Sequence, residues 1–280
     1  MLERHPCYSA GAAKMYGRMH LPVAPKCNLK CRYCDRRYDC ANECRPGVSS
    51  RVMSPREALV YAAEVVRRDP RITVAGFAGP GDPLANEATF ETLELLRDNL
   101  PALILCLSTN GLALSQRVGQ LVELGVKTIT VTLNAVHPRV GAQIYSFVRL
   151  GKEIFRGEEA AAVLLERQIA GIREAVDAGM VLKVNSVLIP GINDRHLPAV
   201  ARVAGRLGAT LFNVMPIIPQ ADFANIPSPD DADLMDVRKA CGDRVAHMLH
   251  CKQCRADAVG LLGEKASFAE NGCADRRDIG

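Results

Sequence analysis

The 280-residue sequence predicts an α/β fold in the form of a partial (β/α)6 TIM-like barrel. Three observations lead to this prediction. Six short apolar segments rich in β-branched residues alternate with amphipathic segments that have helical spacing. The strand segments are almost continuously apolar, which is typical of parallel strands covered by helices. Six repeats are too few to close an eight-stranded barrel, so we expect an open barrel with its active site at the carboxyl ends of the strands.

The elements follow one another in a regular order. A strand at 19–25 leads directly into a cysteine-rich loop, and Ser54 caps a helix over about 55–68 that has Pro55 at its first position. Asn86 is expected to cap the second helix, and Ser115 opens the third. The other predicted strands cover 71–78, 102–108, 126–133, 181–189 and 210–215, and the other helices cover about 158–177, 194–207 and 229–248.

The length suits one domain over residues 1–280. We expect an N-terminal extension at 1–18 and the barrel at 19–216. A C-terminal extension at 217–280 carries the last helix and a Cys-x2-Cys pair, and its tail from about 264 is expected to be mobile.

Composition narrows the function classes. The net charge is +4, and no basic run interleaved with aromatic residues is present, so nucleic-acid binding is not indicated. No apolar run is long enough to cross a bilayer, and the N-terminus lacks the apolar stretch of a secretory leader. We therefore expect a cytoplasmic protein with reduced thiols, no membrane contact and a monomeric state.

Eleven cysteines exceed what core packing needs, and three of them form a Cys-x3-Cys-x2-Cys loop at Cys27, Cys31 and Cys34. Three thiolates leave one iron of an Fe–S cube open for a substrate or cofactor. A structural zinc site requires a fourth ligand. The best zinc alternative combines Cys-x3-Cys and Cys-x2-Cys pairs at Cys40, Cys44, Cys251 and Cys254.

Other cysteines have simpler interpretations. Cys241 lies on a helical apolar stripe with Leu234, Val237, Val245 and Met248, which favours core packing. Cys273 lies in the polar tail and is not assigned a function.

The cysteine loop follows the first strand and has Tyr33 before its third cysteine, and in this it resembles the defining motif of the radical SAM superfamily. The resemblance implies a [4Fe–4S] cluster whose open iron chelates S-adenosylmethionine (SAM), with reductive cleavage to a 5′-deoxyadenosyl radical. Polar segments at strand ends resemble the SAM-binding elements, and among them Asp82 is expected to receive the methionine ammonium. The residues implied are Gly79, Gly81, Asp82, Ser108, Thr109, Asn110, Asn185, Ile189 and Asn193.

A wider set of segments resembles the NifB family, the radical SAM proteins of nitrogenase cofactor assembly. These segments lie at 5–9, 18–25, 38–47, 76–85, 105–112 and 250–263. The resemblance runs from residue 5 to about residue 264, and we expect the short form of the family, which lacks a C-terminal carrier domain.

The resemblance implies an enzyme that fuses two further [4Fe–4S] clusters around a SAM-derived carbide and adds one sulfur. The product is the [8Fe–9S–C] precursor of the nitrogenase cofactor. Implied partners are Fe–S cluster donor proteins, an electron donor and a cofactor carrier or scaffold protein. The implied ligands are Cys7, His20 and Cys106 for one substrate cluster, and Cys40, Cys251 and Cys254 for the other.

Several alternatives stay open. Glu43 and Arg45 flank the cluster loop and are candidate catalytic residues, for proton transfer or transient iron ligation, although a solvated ion pair is the simpler interpretation. Cys7 and Cys106 could be buried packing residues, and His20 a core histidine. At the level of function, a peptide-modifying radical SAM enzyme with auxiliary clusters and a non-enzymatic metal-binding module are the two alternatives.

Overall fold

Six parallel strands form the centre of the computed structural model, which describes residues 1–42 and 48–264. All strands of the described residues, central and peripheral, are β1 (Gly17–His20), β2 (Leu29–Cys31), β3 (Ile72–Phe77), β4 (Ile104–Thr109), β5 (Thr128–Thr132), β6 (Tyr145–Leu150), β7 (Glu153–Phe155), β8 (Val181–Leu188), β9 (Leu211–Pro216), β10 (Ala246–His247) and β11 (Val259–Gly260). The helices are α1 (Ala12–Met15), α2 (Pro55–Arg68), α3 (Glu87–Asn99), α4 (Val118–Glu123), α5 (Pro138–Ile144), α6 (Gly157–Asp177), α7 (Leu197–Arg206) and α8 (Asp231–Cys241).

The main sheet has the order β10-β9-β8-β5-β4-β3-β1-β11. Strands β1, β3, β4, β5, β8 and β9 pair in parallel, which confirms the predicted partial barrel. β10 adds in parallel at one edge, and β11 pairs antiparallel with β1 at the other. The carboxyl ends of the six central strands therefore meet at one rim, as in other parallel βα folds.

Two predicted boundaries were wrong by five residues or more. The first strand ends at His20 rather than at residue 25, and the segment beyond it contains Pro22 and Pro25, which cannot donate ladder hydrogen bonds. The last helix ends at Cys241 rather than at 248, because Gly242 adopts a φ of 66° and the chain then enters β10. Cys241 is buried, as its position on the apolar stripe predicted.

The start of α2 forms as the sequence predicts, with a reciprocal capping box between Ser54 and Glu57. Asn86 occupies the N-cap position of α3, but its side chain does not cap the helix. The Asn86 amide instead accepts the backbone N–H of Lys26 at 3.0 Å and donates to the Lys26 carbonyl at 2.9 Å. Asn86 therefore connects the α3 end of the barrel to the cysteine loop.

A second, three-stranded antiparallel sheet with the order β2-β6-β7 was not predicted. It pairs Lys30 with Phe147 and Cys31 with Tyr145. The middle cysteine of the cysteine-rich loop is thus held by backbone pairing to a segment more than 100 residues later in the chain.

The N-terminal segment covers the opposite end of the barrel, where the strands begin. The Tyr8 hydroxyl donates to the carbonyl of Ile129 at 2.9 Å, and Thr73 Oγ1 donates to the carbonyl of Arg4 at 2.6 Å. These contacts hold the segment so that Cys7 faces the barrel interior. Among the described helices, none combines the length and apolarity that a bilayer crossing requires.

Candidate functional site

A cavity lies at the carboxyl rim of the strands. It brings together the three cysteines of the loop, Cys27, Cys31 and Cys34, and polar residues that follow β3 and β4. Its other lining residues include Arg36, Cys40, Asn42, Pro80, Gly81, Asp82, Ser108, Thr109 and Asn110. Parallel topology explains the grouping, because the loops after neighbouring strands emerge side by side.

The loop after β3 packs directly on the backbone of the cysteine loop. Gly81 N–H donates to the carbonyl of Ala24 at 2.5 Å, and Asp82 N–H donates to the carbonyl of Lys26 at 2.9 Å. A Cβ atom at Gly81 would collide with the Lys26 carbonyl. A glycine is therefore required at this close approach between two backbones.

Asp82 is fully occupied by hydrogen bonds from its own protein. Its Oδ1 accepts the backbone N–H of Leu84 at 3.0 Å, its Oδ2 accepts that of Asn110 at 2.6 Å, and both oxygens lie within reach of the Thr109 hydroxyl. Burial raises the pKa of this carboxyl to about 6, and the hydrogen bonds oppose that rise. Asp82 thus aligns the two loops, and its contact with a methionine ammonium stays a prediction.

The sulfur atoms of the cysteine loop receive amide donors. Asn110 Nδ2 lies 3.8 Å from Cys27 Sγ, and Asn42 Nδ2 lies 3.7 Å from Cys31 Sγ. The hydroxyl of Tyr33 contacts the side-chain oxygen of Asn42 and accepts from Asn134 Nδ2 at 2.6 Å. A buried chain of hydrogen bonds therefore ends on a cysteine sulfur.

The three thiols fit an iron–sulfur cluster. Burial raises the pKa of Cys27 to about 11 and raises those of Cys31 and Cys34, so protons stay on the thiols unless a metal replaces them. Within residues 1–42 and 48–264, no three His, Cys, Asp or Glu side chains converge closely enough for a single metal ion. A four-iron cluster needs no such convergence, because each cysteine binds a different iron.

A second cavity lies deeper in the barrel, and Ser108 lines both cavities. It brings together five predicted ligands from four distant parts of the chain, namely Cys7, His20, Cys106, Cys251 and Cys254. The burial of Cys7 raises its pKa to about 12. The structure therefore gathers residues that no local spacing connects.

His20 has the geometry of a metal-binding imidazole. Its Nδ1 lies 2.8 Å from the carbonyl oxygen of Arg255, which can only accept, so Nδ1 carries the hydrogen and Nε2 has its lone pair available. Burial and the neighbouring Arg18 lower the pKa of His20 to about 4, which keeps the ring neutral. The ring lies against Gly76, where a Cβ atom would come within 2.7 Å of Cδ2.

The predicted ligand set Cys40, Cys251 and Cys254 is divided between the two cavities. Cys40 lines the first cavity, while Cys251 and Cys254 line the second. Gly79, a predicted SAM-binding residue, lines neither cavity, and a Cβ atom there would be 3.7 Å from that of Cys40. Cys254 Sγ accepts from Arg18 Nη2 at 2.9 Å. The pairing of Cys40 with the other two cysteines stays a prediction.

The remaining predicted site residues lie in different places. Asn185 lines the second cavity, whereas Ile189 and Asn193 are buried in the loop after β8 and line neither cavity. Asn193 Oδ1 accepts the N–H of Ile189 at 2.8 Å, so it shapes that loop. Glu43 and Arg45, with Cys44, lie outside the described residues.

Sequence reasoning missed three residues that line the second cavity: His5, Arg18 and Lys183. Arg18 and Lys183 are charged but only 3% and 6% exposed, because each lies within a central strand. A single charged residue inside an apolar strand was the available signal, because buried cations are rare without a partner or a function.

The chain is similar to several known proteins. The Radical SAM superfamily signature matches residues 21–204. The FeMo cofactor biosynthesis protein NifB of Klebsiella pneumoniae is 48% identical over 270 residues, which cover 94% of this chain and 58% of that protein. The NifB of Methanocaldococcus infernus is 42% identical over 273 residues, which cover 96% of this chain and 89% of that protein.

The chain spans 52 to 63% of the length of seven bacterial relatives that carry the same name. Among solved structures, Streptococcus suis SuiB has a TM-score of 0.60 at 14% identity, over 85% of this chain and 50% of that one. At this identity the likeness supports the fold alone.

Proposed function

The chain belongs to the radical SAM superfamily and, within it, to the NifB family of FeMo cofactor biosynthesis proteins, and on that premise we propose that it builds the iron–sulfur–carbide precursor of the nitrogenase cofactor. Two [4Fe–4S] clusters are the proposed substrates, and an [8Fe–9S–C] cluster is the proposed product. Superfamily membership implies a resident [4Fe–4S] cluster and SAM. When bound, these supply one-electron radical chemistry.

One observation supports the proposal most strongly: the two adjoining cavities have Ser108 as a common wall. The first offers three thiols and polar loop groups to a resident cluster and SAM. The second offers thiols and a neutral imidazole to iron–sulfur substrates. Bringing the reacting groups together in fixed positions is the main contribution that a protein makes to cofactor-dependent chemistry.

The residues have separate proposed roles. Cys27, Cys31 and Cys34 hold the resident cluster, and Asp82 fixes the loops that surround SAM. The proposed substrate ligands are Cys7, His20 and Cys106 for one cluster and Cys40, Cys251 and Cys254 for the other. Incomplete protein ligation favours release of the fused product, because fewer iron–sulfur bonds must break.

The reaction needs other proteins. We propose Fe–S cluster donor proteins and an electron donor on the input side, and a cofactor carrier or scaffold protein on the output side. We also propose that residues 1–280 act as one domain, because both the N- and the C-terminal extensions contribute lining residues to the second cavity.

The decisive experiment follows ¹⁴C from methyl-labelled SAM in the anaerobically reconstituted protein. The proposed function requires label in an iron–sulfur product, and label in a peptide would support the peptide-modifying alternative instead. Cys27→Ala should abolish 5′-deoxyadenosine formation, whereas Cys254→Ala should retain part of it and lose labelled product. Cys241→Ala is the matched control, because this buried cysteine lines neither cavity and should leave both readouts intact.

A further inference from the structure

The second cavity contains an unusual concentration of positive charge. Arg18 and Lys183 line it while almost fully buried, and Lys252 lines it from an exposed position. Among the described residues of this lining, none is Asp or Glu. Burying like charges together is costly in a low-dielectric interior, and an anionic occupant offsets that cost.

Arg18 is oriented by the C-terminal part of the chain. Its Nη1 donates to the carbonyls of Gly260 and Leu261 at 2.6 and 3.2 Å, and its Nη2 donates to Cys254 Sγ at 2.9 Å. Its Nε is buried and has no hydrogen-bond partner among the described residues. The guanidinium therefore lies beside a proposed iron ligand, and its Nε–H is still unused.

Lys183 approaches the cavity from β8. Its Nζ lies 3.9 Å from Met248 Sδ and 5.7 Å from the centre of the Tyr8 ring. Tyr8 follows Cys7 directly in the sequence, and Lys183 and Cys7 line the same cavity. The ammonium thus stands close to another proposed ligand of the same cavity.

His5 adds a hydrogen-bond donor to the same lining. Its Nδ1 accepts the backbone N–H of Cys7 at 3.2 Å, so in the neutral ring Nε2 carries the hydrogen. The side chain is 1% exposed, and Nε2 has no hydrogen-bond partner among the described residues. A buried donor of this kind points to a ligand with acceptor atoms.

We infer that Lys183, Arg18 and the Nε2–H of His5 bind an anionic iron–sulfur cluster by charge and hydrogen bonding, in addition to its thiolate and imidazole ligands. A thiolate-bound four-iron cluster carries negative charge, and its sulfides accept hydrogen bonds that raise its reduction potential. This inference rests on the proposed function and assigns the second cavity its selectivity. The cavity retains reduced, anionic clusters and discriminates against neutral or cationic occupants.

The test uses the full chain, reconstituted anaerobically with iron and sulfide and then challenged with an iron chelator. Lys183→Met should retain the SAM-responsive EPR signal of the first cavity, while the remaining iron is lost about tenfold faster than from the parent chain. The reduction potential of the remaining cluster should become more negative, because a nearby cation no longer favours the reduced state. Lys183→Arg should restore both values. Lys152→Met should resemble the parent, since this exposed lysine lines neither cavity.

His5→Phe is a second variant, which keeps the ring contact with Tyr8. It removes the Nε2–H donor and also the Nδ1 acceptor of the Cys7 N–H. The reduction potential should again become more negative. Parent-like iron retention and potential in Lys183→Met would show the inference to be wrong while the proposed function stands. A parent chain that retains only the SAM-responsive cluster would instead contradict the proposed function. If circular dichroism shows that neither Lys183→Met nor His5→Phe folds, both residues are structural and the inference is wrong.

Discussion

Asp82 and Asn110 join the loops that follow β3 and β4, since Asp82 Oδ2 accepts the backbone N–H of Asn110 at 2.6 Å. Asp82→Asn leaves only one side-chain oxygen and places an amide N–H₂ against donors. At least one of the N–H groups of Leu84 and Asn110 then loses its acceptor. We expect the free energy of unfolding of the apo protein to fall by about 1–3 kcal/mol, measured by urea denaturation, and SAM binding to weaken.

The control is Asp98→Asn at the exposed end of α3, where the carboxylate pairs with Arg97 in solvent. No measurable change is expected there. An Asp82→Asn variant as stable as the parent would show that these hydrogen bonds do not align the loops.

Gly81→Ala tests the contact between the loop after β3 and the cysteine loop. The added methyl group must displace the Lys26 carbonyl, which is backbone and adjacent to Cys27. We expect a loss of about 1–3 kcal/mol or more in unfolding free energy. Iron content at the first cavity should fall as well, because Cys27 moves away from the other two thiols.

Gly119→Ala is its matched control, since this glycine lies in α4 and has no heavy atom within 4 Å of the added Cβ. Here a gain of about 0.5–1 kcal/mol is expected from helix propensity. Equal behaviour of the two variants would contradict the close approach at Gly81.

Tyr33→Phe removes one hydroxyl from the buried chain that ends on Cys31. Asn134 Nδ2 then loses its acceptor, and Asn42 loses the contact that orients its amide towards the sulfur. We expect about 1–3 kcal/mol lower stability and a changed EPR spectrum of the reconstituted first-cavity cluster. Tyr38→Phe is the control, because Tyr38 is partly exposed, and it should change neither the stability nor the spectrum. An unchanged spectrum in Tyr33→Phe would show that these hydrogen bonds do not influence the cluster.

His196, which lines neither cavity, should make the stability of the protein depend on pH. Its Nε2 accepts the backbone N–H of Val136 at 3.0 Å, and burial, with a contribution from His137, lowers its pKa. Because the folded pKa lies below the unfolded value of about 6.5, the stabilisation is complete above that value and is lost as pH falls below it.

His196→Gln keeps an acceptor that does not titrate. The loss of unfolding free energy of the apo protein between pH 7.5 and 5.5 should therefore be smaller in the variant than in the parent, with similar stabilities at pH 7.5. Denaturant titrations at the two pH values measure this, and equal losses would contradict the role of His196.

The sequence predicted the central strands and helix α2 well because their signals are local. Apolar runs mark buried parallel strands, and the Ser54–Glu57 box fixes the start of a helix within four residues. The sheet β2-β6-β7 was not predictable, because two of its strands have only three residues. In addition, strands β3, β4 and β5 separate Cys31 from Tyr145 in the sequence.

The first cavity could be predicted from its motif, whereas the second depends on tertiary packing. Cys7 reaches it because Tyr8 is anchored to β5 and β8, and Cys254 reaches it because Arg18 donates to its sulfur. Neither contact has a counterpart in sequence spacing. The role of Asn86 was misread for a related reason, since an N-cap position in the sequence does not reveal that a neighbouring backbone competes for the same amide.

Gly76 illustrates how a residue with no side chain can fix the position of a neighbouring ring. The His20 ring covers the face of β3 at this position and fills the space that the side chain of any other amino acid would need. An alanine Cβ there would come within 2.7 Å of the ring's Cδ2, so the ring would have to move. Replacing His20 by a shorter residue such as cysteine would leave empty space above Gly76. Such a variant would therefore need a larger residue at position 76.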